Sequence, residues 1–501
     1  MRSVLDPEAG EIFVGGCGPD YGTSETVLLR LANRHGLIAG ATGTGKTVTL
    51  QTLAESLSLA GVPVFLADVK GDLAGLSRPG DPGGRLHDAF VARAGRIGLS
   101  LDYQGFPVAF WDVWGEQGHP VRTTPAEMGP LLLSRLLDLT AVQEGVMNIA
   151  FRVADEEGLP VLDLKDLQAM LRWVGANAGD LSLRYGNVSA ASVGAIQRAL
   201  LVLENQGGAR LFGEPALELS DLIRCDASGK GVINILSAGR LMTSPRLYAT
   251  FLLWLLSELF EQLPEIGDPD RPRVAFFFDE AHLLFGDAPK ALIEKVEQVA
   301  RLIRSKGVSV WFISQNPTDI PDPVLSQLGN RVQHALRAFT ARDQKALRDA
   351  AQNYRPNPDF DIAEAIRQVG TGEAVTSFLE AKGSPGVAQR TLIRPPFSQP
   401  GPITGAQLQA HLAASDLGPK YDRSIDRDSA HEMLARRTAD APPPEALQQA
   451  RRYQPPARRT STARSDGVAE TFGKRLAREL GTRTGQALVR GLLGSLLKKP
   501  R

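Results

Sequence analysis

The chain has 501 residues, of which 43% are apolar and 22% are charged, so it can bury a large core and is not an intrinsically disordered protein. Its 56 basic side chains are matched by 56 acidic ones, which excludes a uniformly basic nucleic-acid coat protein. Two cysteines, Cys17 and Cys225, are too few for a disulfide scaffold and predict reduced thiols in a cytoplasmic protein.

The N-terminus lacks the apolar run of a signal peptide, which also favours a cytoplasmic location. The best candidate for a membrane segment, residues 247–260, is too short to span a bilayer and contains Glu258. We therefore expect this stretch to form a helix in the core.

Eight short apolar runs alternate with longer helical stretches in the first 395 residues. Several runs are apolar almost throughout, as in strands that are covered on both faces of a parallel sheet. The alternation predicts an α/β fold with a largely parallel sheet flanked by helices. The predicted strands are residues 35–40, 62–69, 107–113, 232–236, 273–280, 308–314, 332–339 and 373–379.

Composition further divides the chain. Residues 124–223 lack strong strand signals and are predicted to be an α-helical insertion within an α/β domain over residues 1–395. Residues 396–456 are rich in Pro, Ala, Gln and Ser, which predicts a linker with a short helix or two. Residues 457–501 return to helical spacing and are predicted to be a flexible, basic, amphipathic tail.

The C-terminal end of the chain has a strong excess of basic over acidic residues. From Arg451 onward the chain has thirteen basic residues against three acidic ones, so the rest of the chain is net acidic. Such a tail is predicted to contact DNA or an anionic membrane surface, or to be a solvated end.

Residues 40–47 read GATGTGKT and satisfy the P-loop pattern G-x-x-x-x-G-K-[ST] between a predicted strand and a predicted helix. Glycines let backbone N–H groups surround a β-phosphate, and the helix N-terminus adds a favourable dipole. Lys46 would reach the β- and γ-phosphates, and the Thr47 hydroxyl would complete a Mg²⁺ shell. The motif predicts an ATP and Mg²⁺ site formed by Gly40, Ala41, Thr42, Gly43, Thr44, Gly45, Lys46, Thr47 and Val48.

The run RVAFFFDEAH ends a predicted strand with two acidic residues, Asp279 and Glu280. As a Walker B pair, Asp279 would hold Mg²⁺ through water, and Glu280 would polarise the attacking water. A glutamate in this place favours water as the phosphate acceptor, and so predicts hydrolysis rather than transfer to a metabolite. The alternative is an acidic pair that caps the following helix.

Further polar residues flank the next predicted strand. Gln315 ends the run VSVWFISQ, where it either contacts the γ-phosphate or is an ordinary polar residue at a strand end. Upstream, Arg301 and Arg304 share a predicted helix face, from which a guanidinium could reach the nucleotide of a neighbouring subunit as an arginine finger. Arg331 and Arg337 are competing candidates for that role.

The motifs GATGTGKT, FLADVKGDLAGL, FFFDEAHLLF and LIRSKGVSVWFISQNPTDIPDPVLSQLGN, in this order, resemble the HerA-like branch of the HerA/FtsK ATPases. Within that branch the chain is most similar to the bacterial YjgR-type proteins, described as HerA-like helicases. The resemblance covers residues 1–395 and includes the GLLGSLL segment of the tail. It implies a RecA-like ASCE P-loop fold, ATP hydrolysis, and a homo-hexameric ring that moves double-stranded DNA.

The resemblance also implies roles for individual residues. Asp68 and Asp72 fall in a segment similar to the family's acidic loop, although both are also compatible with an ordinary turn. The stretch before Gly40 is too short for the β-barrel of HerA itself. This counts against docking of a HerA-type nuclease partner. The other matches are Lys46 and Thr47 in Walker A, Asp279 and Glu280 in Walker B, Gln315 as the sensor and Arg304 as the arginine finger.

The sequence therefore leaves two classes of function open. The first is an oligomeric ATPase motor, a translocase or helicase, acting on double-stranded DNA with or without a nuclease or other protein partner. The second is an ATP-driven protein-remodelling or scaffold ATPase that does not move DNA, which the acidic body favours slightly. The letters DEAH alone do not indicate a two-lobed helicase, because the chain becomes proline-rich where a second RecA-like lobe would be needed.

Overall fold

The computed structural model of the chain describes residues 2–285 and 290–439, and these fall into two compact units. The first unit comprises residues 2–123 and 205–425, and the second comprises residues 124–204 and 426–439. Every candidate site residue named above lies in the first unit.

A sheet of 13 strands, counted over the described residues, forms the centre of the first unit. The strands are β1 (Leu5–Asp6), β2 (Glu11–Cys17), β3 (Thr23–Leu28), β4 (Gly36–Ala39), β5 (Val64–Asp68), β6 (Val108–Asp112), β7 (His119–Pro120), β8 (Ile233–Ser237), β9 (Val274–Phe278), β10 (Val308–Ser314), β11 (Asn330–Gln333), β12 (Glu373–Ser377) and β13 (Gln389–Ile393).

The helices of the described ranges alternate with these strands or form the second unit. Those of the first unit are α1 (Leu29–Ala32), α2 (Lys46–Leu59), α3 (His87–Arg96), α9 (Ala209–Leu211), α10 (Leu219–Leu222), α11 (Pro245–Gln262), α12 (His282–Phe285), α13 (Lys290–Ile303), α14 (Asp322–Leu325), α15 (Ala341–Gln352), α16 (Ile362–Gln368), α17 (Gly405–Ala413) and α18 (Gly418–Tyr421). Those of the second unit are α4 (Pro125–Leu136), α5 (Ala141–Glu157), α6 (Leu164–Ala176), α7 (Ala178–Tyr185), α8 (Ala190–Leu203) and α19 (Ala430–Ala439).

The strand order is β1-β2-β13-β12-β11-β4-β10-β9-β5-β8-β6-β7, and β3 pairs with the far side of β2. Neighbours from β11 through β4 to β7 are parallel, whereas the pairs on the β12, β13, β2 side are antiparallel. Each of the eight predicted strands overlaps an observed strand. The last part of one prediction is wrong, because β11 ends at Gln333 and residues 334–339 leave the sheet.

Close packing fixes the middle of the sheet. The rings of Phe277 on β9 and Trp311 on β10 stack with centroids 5.8 Å apart. A Cβ on Gly36, the first residue of β4, would lie 2.2 Å from the Trp311 ring, so a larger residue has no room there. The strands β4 and β9 are apolar and buried along their whole length, as expected of parallel strands that are covered on both faces.

The apolar stretch 247–260 lies within α11, whose residues Leu255 and Leu259 are fully buried, so the predicted core helix is confirmed. Within the described ranges, no single helix is long and apolar enough to cross a membrane. Among the described residues, one pair of helices is long and apolar enough when taken together, but the two are bent by 100° at the break between them; they are Ala178–Tyr185 and Ala190–Leu211.

Two expected segments look different in the structure. The helical unit covers residues 124–204 of the expected insertion, while residues 205–223 belong to the first unit. The expected linker contains three helices in its described part, residues 396–439, and Tyr421 is buried with its hydroxyl 2.6 Å from Asp221 Oδ2. A few apolar side chains suffice to dock this proline-rich segment. The rest of the linker and the basic tail, residues 440–501, lie outside the described residues.

A buried ion pair attaches α2 to the segment after β13. The Arg394 guanidinium donates to Glu55 Oε2 at 2.9 Å and to the Thr52 carbonyl at 2.6 Å, and both charged side chains are 0% exposed. The Ser398 hydroxyl donates to the other Glu55 oxygen at 2.6 Å. Because α2 begins at Lys46, this network helps to hold the helix that carries the P-loop.

We predict that Arg394→Met lowers the free energy of unfolding by about 3–5 kcal/mol, because it leaves the Glu55 carboxylate buried without a cation. The matched control is Arg355→Met, which removes an exposed pair with Glu380 (3.2 Å) and should cost less than about 1 kcal/mol. Urea unfolding of both variants measures the difference, and equal losses would contradict this role.

Candidate nucleotide-binding site

The P-loop connects the end of β4 to the start of α2 at the carboxyl edge of the parallel strands, where α/β folds bind their ligands. Gly40, Gly43 and Gly45 have φ values of 152°, 79° and 116°, in the region that residues other than glycine rarely adopt. A Cβ on Gly40 would also lie 2.5 Å from the Cβ of His334. The loop therefore needs these glycines for its shape.

The side chain of Lys46 folds back onto the P-loop and binds its backbone. Its ammonium donates to the carbonyls of Gly40 at 2.6 Å and Ala41 at 3.1 Å, and the Thr44 hydroxyl donates to Ala41 at 2.7 Å. Burial, together with the nearby charge of Lys70, lowers the pKa of Lys46. A buried ammonium that is satisfied only by neutral carbonyls is suited to bind an anion, so the loop fits a phosphate group.

His334 supports the loop from behind and was not recognised in the sequence. Its two ring nitrogens lie 2.8 Å from Thr49 Oγ1 on α2 and 2.9 Å from the Glu373 carbonyl on β12. Burial lowers the pKa of His334 to about 4, so the imidazole is neutral near pH 7. No sequence pattern marks His334 as a residue of this site, because it follows an apolar strand run and has no partner at a fixed sequence spacing.

The acidic pair follows β9, two strands away from β4. Asp279 is 7% exposed, and burial raises its pKa to about 6. Glu280 has a φ of 48°, and its backbone N–H donates to Asp279 Oδ1 at 2.9 Å. A left-handed backbone at a non-glycine residue costs free energy and is found most often at functional sites.

Three side chains surround the Glu280 carboxylate. The ammonium of Lys70 lies 2.7 Å from Glu280 Oε1, while Gln315 Nε2 and His282 Nδ1 each lie 3.4 Å from Oε2. Burial alone would raise the pKa of Glu280, but the Lys70 hydrogen bond and charge hold it below its ordinary value. The structure thus brings Gln315 into contact with Glu280, and its predicted contact with a γ-phosphate stays a prediction.

The two acidic residues of the expected acidic loop are Asp68, the last residue of β5, and Asp72, four residues later. Asp68 accepts hydrogen bonds from the backbone N–H groups of Lys70, Gly71 and Leu73, at 3.2, 2.8 and 3.0 Å, so it shapes the loop. Asp72 instead reaches the P-loop, where its Oδ2 accepts a hydrogen bond from Thr47 Oγ1 at 3.4 Å. Burial raises the pKa of both carboxyl groups.

A Mg²⁺ ion fits these residues if a phosphate completes its coordination. Over the described part of the chain, no group of three or more His, Cys, Asp or Glu side chains could hold a metal by itself. Thr47 supplies a hydroxyl and Asp279 a buried carboxylate, and Mg²⁺ prefers such oxygen ligands together with water and phosphate oxygens. The residues present are therefore those of a metal site that forms with a nucleotide.

The candidate arginines lie at different edges of the sheet. Arg304 precedes β10, and this strand of seven residues, roughly 23 Å long, separates it from the P-loop edge of its own chain. Its guanidinium lies 3.4 Å from Asp268. Arg331 donates to the carbonyls of Leu325, Leu328 and Asn353, which indicates a structural role.

Arg301 and Arg337 are both exposed. Arg301 lies near the end of α13, whereas Arg337 follows β11 and so lies on the P-loop side of the sheet. Arg301 and Arg304 both precede β10 and are at least partly exposed, which suits a residue that acts on a neighbouring copy, and the resemblance assigns this role to Arg304.

The chain is similar to several known proteins. A family model described as Helicase HerA-like C-terminal matches residues 17–501. The DNA double-strand break repair helicase HerA of Sulfurisphaera tokodaii is 21% identical over 390 residues, which cover 75% of this chain and 69% of that protein. The probable helicase MJECL08 of Methanocaldococcus jannaschii is 27% identical over 124 residues, 24% of this chain, and the match spans 22% of its length.

Two solved structures show a similar fold. The bacterial conjugative coupling protein TrwBdeltaN70 has a TM-score of 0.50 at 14% identity, with 79% of this chain and 91% of that chain covered. VirB4 of Thermoanaerobacter pseudethanolicus has a TM-score of 0.50 at 16% identity, with 81% and 99% covered. The predicted RecA-like ASCE fold, with a largely parallel sheet flanked by helices, is thereby confirmed.

Proposed function

Because this chain belongs to the Helicase HerA-like family, whose model matches residues 17–501, we propose that it is an oligomeric ATPase motor that acts on double-stranded DNA. The observation that supports ATP hydrolysis most directly is the convergence of two separate sequence motifs at one edge of the sheet. The Walker A residues Lys46 and Thr47 lie there with the Walker B residues Asp279 and Glu280, and Gln315 contacts Glu280.

The proposed hydrolysis begins with exchange of partners at Lys46. Its ammonium leaves the carbonyls of Gly40 and Ala41 and binds β- and γ-phosphate oxygens, while the backbone N–H groups of the P-loop bind the β-phosphate. Mg²⁺, when bound through Thr47 and through water on Asp279, supplies positive charge that offsets the charge of the phosphates. The loop thus holds the γ-phosphate at the strand end that precedes Glu280.

Glu280 acts as the general base in this proposal. Its carboxylate accepts a proton from a water molecule as the water oxygen bonds to the γ-phosphorus and the bond to ADP breaks. Gln315, whose amide already contacts Glu280, orients that water or the γ-phosphate. The buried position of Glu280, 6% exposed, keeps competing bulk water away from the reacting atoms.

The position of Arg304 supports an oligomer, with a hexameric ring as the expected form. Since this arginine lies at the edge opposite to its own P-loop, it contributes to catalysis only if a second copy places it beside a neighbour's nucleotide. An arginine finger of this kind raises the hydrolysis rate about 10³- to 10⁵-fold where it operates.

We predict that Glu280→Gln retains ATP binding but lowers kcat about 10²- to 10⁴-fold, because an amide cannot accept the proton of the attacking water. Equilibrium binding of a fluorescent ATP and the steady-state release of phosphate measure the two properties separately. Unchanged turnover in this variant would remove Glu280 from the role of general base.

Mixing experiments test Arg304. Arg304→Ala and Lys46→Ala should each be inactive alone, whereas an equal mixture should recover about a quarter of the wild-type rate, because a quarter of the interfaces then pair an intact P-loop with an intact arginine. Phosphate release after subunit exchange measures the recovery. Full activity of Arg304→Ala alone would move the role to Arg301, Arg331 or Arg337.

Duplex DNA should stimulate the ATPase several-fold, more for longer duplexes, and the stimulation should decline as salt concentration rises, because phosphate contacts release counterions. ATPase assays with duplexes of increasing length measure this effect, and deletion of residues 455–501 tests the basic tail. Absence of stimulation at every length would favour the alternative, an ATPase that remodels or scaffolds protein, as the acidic body suggests.

A further inference from the structure

The loop that carries Lys70 contacts both halves of the nucleotide site. Asp68 fixes it through three backbone hydrogen bonds, and Gly71 turns it with a φ of 73°. Two residues beyond Lys70, Asp72 contacts the P-loop hydroxyl of Thr47. Lys70 is thereby held between the Walker A loop and the Walker B carboxylates.

Lys70 occupies the carboxylate that the proposed reaction needs. Its ammonium is 2.7 Å from Glu280 Oε1, and the Glu280 side chain is 8% exposed, so this contact is largely shielded from solvent. The other oxygen, Oε2, is within 3.4 Å of Gln315 and His282. A general base must hydrogen-bond the water that it deprotonates, and in this arrangement an ammonium already takes one of its two oxygens.

The Lys70 side chain is 41% exposed, so it has room to adopt another rotamer. A bound triphosphate would bring its γ-phosphate to the same edge of the sheet and offer a stronger acceptor than a single carboxylate. A diphosphate ends one phosphate earlier and offers no such acceptor near Glu280. The Lys70 ammonium therefore has two alternative partners, the Glu280 carboxylate and a γ-phosphate oxygen. The length of the phosphate chain determines which of them it binds.

Building on the ATPase activity proposed above, we propose that Lys70 is a further substrate-contacting residue that distinguishes nucleoside triphosphate from diphosphate. With a triphosphate in the P-loop, its ammonium moves from Glu280 Oε1 to a γ-phosphate oxygen and frees the carboxylate to bind water. With a diphosphate, the ammonium stays on Glu280 and the base remains occupied. No bond other than hydrogen bonds is made or broken in this exchange.

The test compares the affinity of the full chain for a non-hydrolysable ATP analogue and for ADP, both with Mg²⁺. Lys70→Met should weaken binding of the analogue about tenfold, because it removes one charge-assisted hydrogen bond, and leave ADP binding within about twofold. Lys70→Arg, which keeps the positive charge, should retain most of the wild-type ratio of the affinity for the analogue to the affinity for ADP. Lys382→Met, at an exposed lysine outside the site, is the matched control and should change neither affinity.

Retained ADP binding shows that the variant is folded, and Lys70→Gln, measured in parallel, removes the charge with a polar side chain of similar length. If Lys70 only holds Glu280 in place, kcat falls in these variants while the ratio of the two affinities stays at the wild-type value, and the inference is wrong. Equal weakening of both nucleotides overturns it as well. A wild-type chain that binds no ATP would instead refute the proposed function itself.

Discussion

Burial of charge at the carboxyl edge of β4, β9 and β10 is the constraint on which the rest of the site depends. Asp279 and Glu280 are 7% and 6% exposed, and Lys46 is 7% exposed with only carbonyl oxygens as hydrogen-bond partners. Buried charges are costly unless oppositely charged or strongly polar groups surround them. A magnesium-bound triphosphate supplies both signs of charge at once, so the edge is more fully compensated with this ligand than without it.

The surrounding fold keeps this charged edge in place. Gly40 and His334 pack so closely that the P-loop has little freedom, and the buried pair of Arg394 with Glu55 holds the helix that leaves the loop. The antiparallel strands β12 and β13 therefore do more than extend the sheet, because β12 accepts a hydrogen bond from His334 and Arg394 directly follows β13. In a preorganised site of this kind the polar groups are already in place, so their rearrangement costs no free energy during the reaction.

Much of this arrangement could be predicted from the sequence, because its strongest patterns are local. The P-loop spacing, the apolar strands and the acidic pair at a strand end each lie within ten or so residues, and the structure brings them together as parallel strands require. Lys70 and His334 could not be found in this way, because each acquires its role from a partner far along the chain. Strand β2 contains two glycines, β3 contains polar residues, and residues 396–439 are proline-rich, so neither their pairing nor their packing produces a periodic pattern.

In the proposed reaction, water that is activated at Glu280 attacks the γ-phosphorus of ATP bound at Lys46. Hydrolysis in water labelled with heavy oxygen tests this claim most directly, since mass spectrometry of the products locates the attacked phosphorus atom. We expect one labelled oxygen in each released phosphate and none in ADP. Label in ADP, or no phosphate released from the correctly assembled chain with or without DNA, would contradict the proposed reaction.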